Sequence, residues 1–185
     1  MSTTEGPSLP EAQPIKVPRE TAAVVVLDMN TECDDPQARS HALLNRVGAF
    51  LQRARQHHVP IIYTVSLMNK GSPLGDVASS LGRRQDEPVL FPDGFDKFTG
   101  GDLERLLRPR GVTNLVIVGR STNVAVMYTA TAAARVHKFQ VVIPMDGVAA
   151  NGDYENNYAL HQLNRLPRSV IVPIAFSRLD QIEFQ

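Results

Sequence analysis

Asp28, Lys97 and the turn Gly119-Arg-Ser-Thr-Asn-Val-Ala-Val126 are the residues of this chain best suited to chemistry. Asp28 directly follows an apolar run that ends at Leu27. A carboxylate at the end of a buried strand is half desolvated, which lifts its pKa above the usual value of about 3.9. Such a group can give or take a proton near neutral pH. The plainer reading is that Asp28 caps the following turn. If Lys97 enters the same pocket, its charge holds Asp28 ionised or binds an anionic substrate; otherwise it is a solvated loop lysine. The 119–126 turn joins a strand to an alanine-rich helix. In an α/β protein that junction lies outside the carboxyl end of a strand, where ligands bind.

Other groups in and near that turn are weighed the same way. Arg120 can bind a carboxylate or only a surface acid. Ser121 and Thr122 carry hydroxyls, but no histidine is obviously placed to activate them, and Thr122 suits a helix cap. Cys33 lies five residues after Asp28, and a free cysteine is most often a small buried hydrophobe. The five histidines show no metal-ligand spacing and there is no glycine-rich phosphate loop, so neither a metal nor a cofactor is expected.

The elements that must position these residues alternate along the chain. Short apolar runs rich in β-branched side chains predict buried strands over 21–27, 61–65, 88–91, 115–118, 139–143 and 169–174. Pro173 favours an edge position for the sixth. Apolar residues at helical spacing (Leu43, Leu44, Val47, Phe50, Leu51, Ala54) predict a helix over 36–58. Further helices are expected over 102–108, 122–137 and 154–166. Residues 68–86 hold glycines, prolines and scattered charges, and read as a long loop with at most one short helix. Strands alternating with helices predict a three-layer α/β/α sandwich around a six-stranded, mostly parallel sheet.

Composition limits the partners. A chain of 185 residues is one domain in size, here 19–185 after a loose Ser/Thr/Glu/Pro-rich arm at 1–18. Nineteen basic and 19 acidic residues cancel, which gives no electrostatic reason to expect nucleic acid or an anionic membrane. No apolar run approaches the roughly 18–20 residues of a membrane span. The amino terminus lacks the basic start and apolar centre of a signal peptide. The single cysteine cannot form an internal disulfide. A cytoplasmic protein fits these features.

The 119–126 turn resembles the nucleophile turn of the isochorismatase-like (cysteine hydrolase) superfamily, Gly-Val-x-Thr-x-x-Cys-Val in its amidase members. Asp28-Met29 matches the start of the family's Asp-Met-Gln-Asn-Asp-Phe. Gly101-Asp-Leu-Glu-Arg-Leu-Leu, Thr129-Ala130 and Val142-Ile-Pro-Met-Asp-Gly147 extend the likeness over residues 21–174. The resemblance implies that Asp28 is the general acid/base. It also implies a non-proline cis peptide at Arg120–Ser121, with backbone N–H groups there and at Val124 and Ala125 facing the substrate. Asn123 sits where many amidases have aspartate.

Two departures stand out. Ala125 occupies the place of the catalytic cysteine, and a methyl group cannot attack a carbonyl. The family lysine of Lys-x-x-Tyr-Ser-Ala-Phe falls, counted without gaps, on Pro92. Phe95 and Phe98 then take the aromatic positions and Lys97 the small one. The isochorismatase branch also lacks the cysteine, with Gly-Val-Tyr-Ala-His-x-Gly at this turn, and cleaves a vinyl ether by protonating it. The resulting expectation is a cysteine-independent hydrolase of a small molecule. Asp28 is its acid/base, and Lys97, Arg120, Ser121, Asn123, Val124 and Phe95 surround the substrate. Phe91, Phe98 and the 68–86 loop are further candidates for the pocket wall. The rival is an inactive member serving as a small-molecule binder or assembly subunit. Either way the resemblance implies a homodimer or homotetramer.

Overall fold

The computed structural model describes residues 8–185. Its main sheet is built from β2 (Ala22–Leu27), β3 (Ile61–Thr64), β4 (Val89–Leu90), β5 (Asn114–Arg120), β6 (Gln140–Pro144) and β8 (Ile174–Ser177). They lie in the order β4-β3-β2-β5-β6-β8, and every pairing is parallel. A short β7 (Val148–Ala149) pairs beside the carboxyl end of β5. Among them lie α1 (His41–Gln56), α2 (Asp102–Leu107), α3 (Met127–Arg135) and α4 (Asp153–Asn164).

Alternation along β2 sorts the helices into two layers, because successive side chains of a strand point to opposite faces. Val24 and Val26 join Leu43, Leu44, Val47, Phe50 and Leu51 of α1. Ala23, Val25 and Leu27 join Leu103 and Leu107 of α2, Ala130, Ala133 and Ala134 of α3, and Leu160 and Leu163 of α4. The alanines of α3 let its backbone lie close to the sheet. The expected three-layer α/β/α architecture is the observed one.

Several boundaries differ from the sequence reading. The first helix begins at His41 rather than near 36, because residues 36–40 form turns, one of them fixed by Gln37 N–H donating to Asp35 Oδ1. The sixth strand is Ile174–Ser177, not 169–174. Pro173 has no N–H for a ladder; before it Ile171 packs into the core on the α3 side and Val172 N–H donates to Ala134 O. The strand does lie at the sheet edge.

The 1–18 arm is tied down where it is described, while residues 1–7 lie outside the described residues. Gln13 N–H donates to Phe176 O, and Ser177 Oγ donates to Gln13 O, which covers the β8 edge. Further on, β1 (Ile15–Val17) pairs in parallel with β9 (Ile182–Phe184). No helix among the described residues is long and apolar enough to cross a membrane.

Candidate active site

At the carboxyl ends of β2 and β5 lies a cavity of about 490 Å³, within the usual size range for a small-molecule site. Asp28, Phe95, Lys97, Arg120, Ser121, Val124 and Ala125 line it together with Asn30, Glu32, Ser66, Met68, Asn69, Asp93 and Gly94.

Asp28 leaves β2 in the left-handed region (φ 51°), which aspartate tolerates better than most residues. Its N–H donates to Thr64 O of β3. Gly119 of β5 makes this junction possible: a Cβ there would come within 2.1 Å of Leu27 O. Burial pushes the Asp28 carboxyl above its ordinary range. Lys97 opposes that shift, aided by Arg120 and the nearby Ser66 N–H, but does not cancel it.

Lys97 Nζ lies 2.8 Å from Asp28 Oδ2. The offset in sequence is absorbed by the loop before α2. Gly94 takes a positive φ (149°) there. Thr129 Oγ1, from inside α3, accepts the Lys97 N–H at 3.1 Å and donates to Phe95 O. Lys97 thereby turns inward from five positions after Pro92.

The Arg120–Ser121 peptide is cis. The chain then makes a wide π turn over Thr122–Val126 before α3 proper, so the helix expected from 122 begins its regular course at Met127. Val124 N–H donates to Ser121 O. It is spent inside the turn, so of Val124 only the lining side chain faces a ligand. Arg120 pairs with Glu32 at 3.1 Å and donates to Ser40 Oγ. Ala125, 2% exposed, packs into the core on one side and lines the cavity on the other.

The remaining candidates lie elsewhere. Asn123 does not line the cavity; the wide turn sets it aside. Thr122 makes no cap and instead donates to Asn156 Oδ1 of α4. Phe98 is buried and stacks on His137 and Phe139, and Phe91 lies under the Lys70 ammonium. Cys33 is fully buried away from the cavity. No histidine lines the cavity. Among the described residues no cluster of His, Cys, Asp or Glu has the makings of a metal site.

The model of the isochorismatase domain matches residues 22–172. The chain belongs to the isochorismatase family. The isochorismatase family protein YaaI of Bacillus subtilis is 22% identical over 162 residues, which cover 78% of this chain and 89% of YaaI. An isochorismatase family protein from Burkholderia thailandensis superposes with a TM-score of 0.74 at 22% identity, covering 95% of this chain and 97% of that one. A nicotinamidase from Staphylococcus aureus does so with 0.73 at 18%, covering 86% and 99%. At such identities the two structures share the fold, which is that of isochorismatase-family hydrolases.

Met68 and Asn69 come from the 68–86 loop expected at the pocket wall, whereas Asn30, Glu32, Ser66, Asp93 and Gly94 are cavity residues that the sequence reading did not single out. Asn30 had one visible signal: it follows Asp28 by two residues, at the family's glutamine position.

Proposed function

We propose that this isochorismatase-family chain is a hydrolase of a small vinyl ether that works without a cysteine nucleophile, with Asp28 as general acid and then general base. The observation that carries this reading is the state of the Asp28 carboxyl. Lys97 occupies Oδ2, burial favours the protonated form, and Oδ1 has no hydrogen-bond partner. Oδ1 is thereby the carboxyl oxygen assigned to pass a proton to a ligand.

In this reaction Oδ1–H protonates the terminal carbon of the C=C bond, whose π electrons form the new C–H bond. The positive charge is shared between the other carbon and the ether oxygen. Water adds to that carbon and gives its proton to the Asp28 carboxylate. The hemiketal then breaks its C–O bond, and its hydroxyl proton passes to the departing alcohol. Vinyl ether and water become ketone and alcohol, and no protein atom is covalently attached, so the methyl of Ala125 is no obstacle. Lys97 steadies the carboxylate formed by the first step. Arg120 draws an anionic substituent of the substrate, and Ser121, Val124 and Phe95 form the walls. The homodimer or homotetramer implied by the resemblance remains part of the proposal and is checked by sedimentation.

Hydrolysis of a vinyl ether panel that includes isochorismate, run in D2O, tests the reading. Protonation at carbon predicts one solvent deuterium in the methyl or methylene group formed. A product without carbon-bound deuterium contradicts it. No turnover of the panel favours the non-catalytic binder.

A further inference from the structure

Among the described residues four buried side-chain polar atoms lack a hydrogen-bond partner: Asp28 Oδ1, Asn30 Oδ1, Thr64 Oγ1 and Gln181 Oε1. Two of them belong to residues lining the same cavity, Asp28 and Asn30. A buried acceptor without a donor costs about 1–3 kcal/mol, so such atoms call for an explanation. Asp28 has one in the proposed proton transfer. Asn30 takes no part in that step.

The Asn30 side chain is held in one orientation. Its Nδ2 donates to Leu74 O at 3.0 Å. A flipped amide would set two carbonyl oxygens against each other, so the nitrogen end is fixed by the chemistry of the partner. The backbone on either side is fixed too, by an antiparallel bridge from Asn30 to Val77 and by Ala78 N–H donating to Met29 O. The residue is 4% exposed. The amide oxygen is thus an unpaired acceptor on a side chain whose orientation the 68–78 loop fixes.

We infer that Asn30 Oδ1 reads the substrate: the molecule that enters the cavity carries an N–H or O–H donor beside its reacting group. This rests on the cavity being the substrate site. A site built to hydrogen-bond a donor rejects the analogue that lacks it, because the acceptor is then left unpaired. Asn30 is on this account a specificity-determining residue, and the substrate of the proposed reaction is a vinyl ether with a free hydroxyl or amide group.

Equilibrium binding tests this without requiring turnover, so its failure is distinguishable from failure of the proposed reaction. Benzamide and acetophenone share a ring and a carbonyl and differ in NH2 against CH3, and either ring fits a cavity of about 490 Å³. Titrated into the wild type, benzamide is expected to bind roughly tenfold more tightly, the worth of one well-made hydrogen bond. In Asn30→Leu the preference is expected to vanish. Where Asn30→Leu does not fold, the side-chain amide resonances of Asn30 in the wild type give the same answer, moving with benzamide and not with acetophenone. Equal affinities, no binding of benzamide, a preference that survives in Asn30→Leu, or unmoved Asn30 resonances overturn the inference and leave Oδ1 to a structural water.

Discussion

Lys97 Nζ stands 2.8 Å from Asp28 Oδ2, and the lysine is the deeper partner, its side chain 2% exposed against 25% for the aspartate. Lys97 is the largest influence opposing the rise that burial imposes on the Asp28 carboxyl. In Lys97→Met that opposition disappears and the carboxyl titrates at still higher pH. A reaction that needs protonated Asp28 then keeps its rate to higher pH, so the falling limb of kcat/KM against pH moves upward. An unmoved limb separates the pair from catalysis.

The position of Lys97 depends on Thr129. Thr129→Val keeps the shape and removes the acceptor of the Lys97 N–H. A buried N–H left unpaired costs about 1–3 kcal/mol. Denaturant unfolding is expected to show that loss, and kcat to fall while the circular dichroism spectrum stays native. Unchanged kcat with reduced stability assigns Thr129 to folding alone.

This arrangement was only half legible in the sequence. Asp28 was readable because a charged residue directly after six buried apolar residues, Ala22–Leu27, has few places to go. Ala125 was readable from its place in the turn after β5. Lys97 was ambiguous, because its inward path depends on Thr129, 32 residues away. The sixth strand lies later than expected because Ile171 is apolar for packing on the α3 side, and the Val172 N–H is given to Ala134 O rather than to a ladder. The β1–β9 pair was missed because short strands at opposite ends of the chain carry no local signal. Asn30 shows in the sequence only by its place two residues after Asp28; its unpaired amide oxygen is a property of the folded chain.

Ala125→Cys places a thiol on the cavity wall, whereas the native Cys33 is fully buried. Iodoacetamide is expected to alkylate position 125 and to spare Cys33, as peptide mass mapping will show. Modification of Cys33 alone, or of neither, removes position 125 from the cavity.

Away from the site, Arg55 grips Glu87 through Nε at 2.7 Å and Nη2 at 2.9 Å, with both side chains buried. Nη2 also donates to Tyr63 Oη. Glu87→Gln leaves the buried guanidinium uncompensated and is expected to cost roughly 3–5 kcal/mol. The contacts with Arg55 hold the Glu87 carboxyl below its ordinary 4.5 in the folded protein. Its stabilisation is present above that unfolded-state value and is lost as pH falls through the folded-state value. The variant should therefore show a flatter loss of stability below about pH 4.5 than the wild type. Parallel acid unfolding curves contradict this.

The most direct test of the whole account is the rate of vinyl ether hydrolysis by wild type and Asp28→Asn under the same conditions. General acid catalysis predicts that the variant, folded by circular dichroism, loses roughly 10²–10⁴ in kcat/KM. A variant that hydrolyses the same substrate at the wild-type rate contradicts the central role given to Asp28.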